Sequence, residues 1–163
     1  MEDSAPRIDT ASVVVAAKAD DVYRAFSDPN ALMAWLPPGN MTGRVLDYEF
    51  HQGGRYRIEL TYADDMPAEI GKTAGRTDVS AGRFLALEPG RRIVQSVEFE
   101  SADVSFAGEM RMSWSFGELS AGTIVTVTAE NVPPGISKAD HDAGLRSSLA
   151  NLERFLASDL RQR

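Results

Sequence analysis

The segment IDTASVVVAAK is rich in Val and Thr and carries no acid after Asp9, which predicts a first strand from Ile8 to Lys18. Asp20 and Asp21 then stand as N-cap and first-turn acid ahead of Val22, Tyr23 and Phe26 at helical spacing, and Asp28-Pro29 stops that pattern. Pro29 suits the first position of a second short helix carrying Leu32, Met33, Trp35 and Leu36, which Pro37-Pro38-Gly39 ends. From Arg44 to Glu130 the period falls to two. In RYRIELTY, Tyr56, Ile58, Leu60 and Tyr62 share one face and Arg55, Arg57, Glu59 and Thr61 the other; in MRMSWSF, Met110, Met112, Trp114 and Phe116 oppose Arg111, Ser113 and Ser115. Further strands are expected at Arg44 to Phe50, Gly82 to Leu87, Arg91 to Glu100 and Thr123 to Glu130, giving about six after the helices. Ser137 and Asp140 form an S-x-x-D box that opens a long final helix. There Leu145, Leu149, Leu152, Leu156 and Leu160 make one apolar stripe, with Arg146, Glu153 and Arg154 on other faces.

The order is strand, two short helices, about six antiparallel strands and a long amphipathic helix, so the class is α+β. A sheet of about seven strands with one apolar face, curved by its own twist, grips the final helix on its concave side. A curved sheet and a straight helix part at one end, and that gap is a natural site for a small hydrophobic molecule. Ala63 to Ser80 reads as a long loop which, with Pro37 to Gly43 and Ser101 to Gly108, frames the gap.

Composition narrows the function. With 163 residues the prior is one domain, residues 1–163, with an ordered core of about 8–160. The 17 Lys and Arg against 24 Asp and Glu leave a net charge of −7, which repels nucleic acid and anionic membrane surfaces. No cysteine is present, so disulfides, thiolate nucleophiles and Cys-ligated metals are excluded. The longest apolar run, Ala31 to Leu36, falls far short of the ~20 residues of a membrane span, and MEDSAPRID lacks a signal pattern. A cytoplasmic monomer or homodimer is expected.

Candidate chemistry is sparse. His51 and His141 lie far apart, Asp64-Asp65 reads as solvated loop charge, and no metal or cofactor site is expected. Gly53-Gly54 precedes a strand, so the pair is a turn or bulge device rather than a phosphate cradle. Arg57, Glu59, Glu98 and Arg111 fall on the outer face, where cross-strand ion pairs are expected. The residues expected to line the gap are Trp35, Tyr56, Ile58, Met66, Phe84, Val97, Phe99, Met110, Met112 and Trp114, with Leu145 and Leu149 from the helix. His141, four residues before Leu145, points to the gap's mouth or bonds a loop carbonyl; His51 is expected at the surface. No catalytic residue is assigned.

These pieces carry a resemblance over nearly the whole chain. Val22-Tyr23 with Phe26, Asp28-Pro29, Trp35-Leu36-Pro37, Gly53-Gly54-Arg55-Tyr56, Gly82, Leu87-Glu88-Pro89, Arg92-Ile93, Gly122-Thr123 and the ending in Leu149, Leu152 and Phe155 resemble the START-like, helix-grip (SRPBCC) superfamily. Within it they are most similar to homologues of the activator of heat-shock-protein-90 ATPase. Glu49-Phe50-His51-Gln52 stands where that family commonly has Asp-x-Arg-x. The resemblance implies a helix-grip fold and a cavity. It extends to ligand carriers, to polyketide cyclases, in which His141, Tyr56 or an inward Tyr62 would move protons, and to modules that contact a chaperone. The co-chaperones normally carry a separate N-terminal domain, for which this length leaves no room. A carrier of a small apolar or aromatic molecule is the leading expectation.

Overall fold

A computed structural model describes residues 7–161, with side chains through Asp159; Leu160, the last leucine of the expected stripe, lies outside the described side chains. Strand β1 (Ile8–Val15) ends three residues before the expected Lys18 and alternates outward and inward, burying Asp9 and Val15. Helix α1 (Ala19–Ser27) follows, and its cap is a correction. The extended residue before it is Lys18, whose carbonyl accepts from Asp21 and Val22, so Asp20 and Asp21 both lie inside the first turn, where acids favour the helix dipole. Helix α2 (Pro29–Trp35) is capped by the Asp28 carboxylate, which accepts from the Asn30 amide at 3.0 Å, with Pro29 at its start.

Six strands come next: β2 (Thr42–Tyr48), β3 (Arg55–Thr61), β4 (Thr77–Glu88), β5 (Arg92–Phe99), β6 (Met110–Leu119) and β7 (Gly122–Glu130). The seven form one antiparallel sheet in the order β1-β7-β6-β5-β4-β3-β2. β4 starts five residues earlier than the expected Gly82 because Thr77 to Ala81 pair with Thr61 to Arg57, which shortens the long loop from its far end. Helix α3 (Lys138–Arg161) closes the chain, its first turn capped by the Ser137 hydroxyl, which accepts from the Asp140 amide at 3.1 Å.

α3 runs beside β1 at one sheet edge, while α2 packs on both α3 and β2 at the other edge. The sheet therefore curls round the helix, the helix-grip arrangement. Leu145, Leu149, Leu152 and Leu156 are all buried, each contributing roughly 1.5 to 3 kcal/mol by leaving water. Phe26, Trp35, Trp114 and Phe116 form a ring cluster beside them, with Phe26 4.9 Å from Trp35 and 5.1 Å from Trp114 between centroids. No helix among the described residues is long and apolar enough to cross a membrane.

Candidate functional site

Strand register decides which side chains share the concave face. Across the sheet one row runs Asp9 (β1), Ala129 (β7), Met112 (β6) and Gln95 (β5), and the next runs Ala11, Val127, Trp114 and Ile93. On the far half, Tyr56, Ile58 and Leu60 of β3 face the same way as Gly82, Ser80 and Asp78 of β4, and Ser80 pairs with Phe99 of β5. Gly82 is required here: a Cβ on it would lie 1.8 Å from the Ser96 carbonyl oxygen. The missing side chain lets the Tyr56 hydroxyl reach across β4 and donate to that carbonyl at 2.6 Å.

The helix is fixed to the end of α2 by polar clamps. The Ser148 hydroxyl donates to the Leu36 carbonyl (2.6 Å), Asn151 Nδ2 donates to the Trp35 and Pro37 carbonyls (3.1 and 3.0 Å), and the Ser147 hydroxyl accepts from the Gly39 amide (2.8 Å). Ser148 and Asn151 satisfy free carbonyls at the end of α2, and Ser147 satisfies an amide just beyond it. Under α3 the concave residues Val125, Val127, Trp114 and Ile93 are sealed. Further along, Leu60, Ser80, Gln95, Phe99 and Met112 stay partly accessible although they point inward from the middle of the sheet. An inward side chain on a central strand meets solvent only where its cover is incomplete, so the cover over this strip is partial.

Three polar groups flank the strip. At the β1 side, Asp9 is 0% exposed and accepts from His141 Nδ1 at 2.7 Å and Arg7 Nη2 at 3.0 Å, with Lys138 Nζ at 3.5 Å. Burial raises the Asp9 pKa, but the His141 and Arg7 hydrogen bonds and charges outweigh it and hold the carboxyl below its usual range. The His141 side chain is 14% exposed, and with Nδ1 on Asp9 its Nε2 is the nitrogen open to a ligand. In the centre, Gln95 accepts from Trp114 Nε1 at 3.0 Å, near Tyr56, whose phenol burial pushes strongly up in pKa. At the loop end, Lys72 and Asp78 form an ion pair at 2.8 Å with side chains 17% and 7% exposed. Asp78 also accepts from the Lys72 amide (2.6 Å) and the Tyr62 hydroxyl (3.3 Å), and Lys72 Nζ sits 5.3 and 5.9 Å from the ring centroids of Phe99 and Phe106.

The sequence-derived candidates divide accordingly. Trp35, Tyr56, Ile58, Phe84, Val97, Met110, Trp114, Leu145 and Leu149 are buried together in the core beneath and beside the strip. Phe99, Met112 and His141 border it. Met66 is a correction to the inward list: it is 37% exposed in the loop after β3, outside the core, where its amide and carbonyl serve turn contacts with Ala63 and Arg76. His51 is exposed. The outward charges pair as Arg57 with Glu100 and Arg44 with Glu59. Sequence reasoning missed Asp9, Lys72, Asp78 and Gln95. For Asp9 a signal existed, since a charge at an inward phase of an alternating strand needs a partner.

Two surface depressions lie elsewhere and neither borders α3. One of about 600 Å³ lies between α2 and edge strand β2, lined by Pro29, Met33 and Gly43 to Tyr48. The other, about 370 Å³, lies between Ala17 to Asp20 and Glu118 to Thr123. Both are open to solvent.

Comparison with known proteins fits this geometry. The family model described as Activator of Hsp90 ATPase homolog 1-like protein matches residues 16–157. Protein CV1439 from Chromobacterium violaceum has 30% identity and a TM-score of 0.81, covering 91% of this chain and 96% of that one. The AHSA1-like protein from Aeromonas hydrophila superposes at TM-score 0.69 with 16% identity, covering 94% of both chains. DynU16, a protein of the dynemicin biosynthetic locus, superposes at TM-score 0.66 with 21% identity, covering 93% of this chain and 48% of its own. At those identities the last two show the fold alone. No functionally curated protein matches.

Proposed function

For this chain, which belongs to the family of Activator of Hsp90 ATPase homolog 1-like proteins, we propose the binding of a small apolar or aromatic molecule in the cleft between α3 and strands β3 to β6. The observation that carries this reading is the accessibility of Leu60, Phe99 and Met112, which point inward from the sheet yet stay only partly covered beside a sealed core. Accessible apolar floor with a few oriented polar groups is the usual composition of a small-molecule site. Methionine at position 112 adapts to varied apolar shapes.

The His141 and Asp9 pair supports a second reading, cyclase-like proton transfer, because the carboxylate fixes one imidazole nitrogen and leaves the other for a substrate. The carrier reading is preferred, since it requires no second converging acid or base.

The test is native mass spectrometry of the purified protein before and after denaturation, followed by melting curves with a panel of aromatic compounds. A copurifying small molecule, or a compound that raises the melting temperature in the wild type and not in Met112→Trp, is the expected result; a ligand at 100 times its dissociation constant adds about 2.7 kcal/mol. A panel without effect overturns the carrier reading, and turnover that vanishes in His141→Ala replaces it with the cyclase.

A further inference from the structure

The Lys72 and Asp78 pair has no role in joining the elements already described, and its surroundings are unusual for an ion pair. Asp78 lies on the concave face opposite Leu60, and Phe99 lies on the same face opposite Ser80, so the pair stands at the loop end of the accessible strip. An ammonium has three N–H donors. Lys72 Nζ gives one to Asp78 at 2.8 Å. Its remaining donors stay beside the Phe99 and Phe106 rings, on a side chain 17% exposed. The rings and the carboxylate fix the ammonium in one place at the margin of an apolar floor.

Resting on the cleft reading above, we propose that Lys72 is the head-group site of the ligand: it donates a hydrogen bond to a neutral oxygen, a ketone or a phenolic hydroxyl, at one end of an elongated aromatic molecule. Charge decides the class. Asp78 already neutralises Lys72, with both carboxylate oxygens engaged, so a ligand carboxylate placed there meets a like charge within the same small cluster. A neutral oxygen takes the spare N–H without that repulsion. Length follows from the strand. Phe99 and Gln95 are four residues apart on one face of β5, roughly 13 Å at about 3.3 Å per residue. A ligand with its first oxygen at Lys72 therefore brings its far end toward the Gln95 amide, the next polar side chain on that face of β5.

Equilibrium dialysis with trans-stilbene, 4-hydroxystilbene, 4,4′-dihydroxystilbene and 4-carboxystilbene tests this. In the wild type the dihydroxy compound is expected to bind at least about tenfold more tightly than stilbene, since one hydrogen bond to a charged group contributes that much. The carboxylate is expected to bind more weakly than the 4-hydroxy compound. Lys72→Met is expected to keep stilbene affinity while losing the gain from the hydroxyl, and Asp78→Asn, which frees the ammonium's charge, is expected to shift preference to the carboxylate. Melting curves accompany each variant; if either fails to fold, the wild-type order of the four probes still decides. Stilbene binding with no hydroxyl preference, or tighter carboxylate binding in the wild type, overturns the Lys72 proposal and leaves the cleft reading standing. Failure of all four probes overturns both.

Discussion

Leu152→Ala is the sharpest test of how the helix is gripped. Leu152 is 0% exposed and belongs to the core cluster with Leu149 and Leu156, one turn or less away on α3. Truncation removes the transfer energy of the lost carbons and leaves a void. That void collapses poorly, because Ser147, Ser148 and Asn151 hold α3 to the α2 end by hydrogen bonds of 2.6 to 3.1 Å. The expected cost is therefore in the upper range for such changes, ~3 to 5 kcal/mol. For a chain of this size each kcal/mol lowers the melting temperature by about 2 to 4 °C, so the fall is roughly 6 to 20 °C. Urea titration followed by tryptophan emission reads it directly, since Trp35 and Trp114 are both buried. The midpoint should drop at unchanged slope. Arg111→Ala, on the exposed convex face, is expected to change stability by less than about 0.5 kcal/mol. Equal effects of the two substitutions, or a Leu152→Ala cost under about 1 kcal/mol, would refute the packing argument.

Two predictions concern titration. The Asp9 pKa is held below its ordinary value, so its contribution to stability is present above about pH 4 and is lost as pH falls through the lowered value. Asp9→Asn is expected to cost about 3 to 5 kcal/mol at neutral pH, by leaving Arg7 and His141 without their anion, and to flatten the acid limb of a chemical-denaturation series; an unchanged acid limb would sink the assignment. All four tyrosines, Tyr23, Tyr48, Tyr56 and Tyr62, have raised pKa values, mainly through burial. Their stability contribution is intact below about pH 10 and is lost above it, so phenolate absorbance should rise together with unfolding rather than before it.

The strands and the leucine stripe were legible because one face of each is buried and the period alone fixes which. Gly82 and Tyr56 were visible as sequence features, but not their relation, since only the β3 to β4 register places the tyrosine over the glycine. The start of β4 was obscured by its own chemistry. Thr77-Asp78-Val79-Ser80 reads as polar loop, and Asp78 is inward only because Lys72 follows it into the fold. Asp9 and His141 are 132 positions apart, a separation no spacing rule reaches. Lys18 was passed over as a cap because its side chain makes no capping bond and only its backbone does the work.

Polar groups on an inward face lower stability unless each finds a partner, and even a well-paired buried ion pair often adds nothing over aliphatic residues of the same volume. A sheet shaped only to hold α3 would therefore carry aliphatics along its whole concave side, as it does at Val125, Val127 and Ile93. Instead Asp9 with His141, Gln95 with Trp114, and Lys72 with Asp78 stand around the strip that α3 leaves open, each anchored by a partner within the chain. Polar groups anchored in this way beside accessible apolar floor are held in place before any ligand arrives, so little ordering cost remains at binding. The division between a sealed half under α3 and a polar-edged, partly accessible half separates the residues that stabilise this fold from those proposed to receive a ligand.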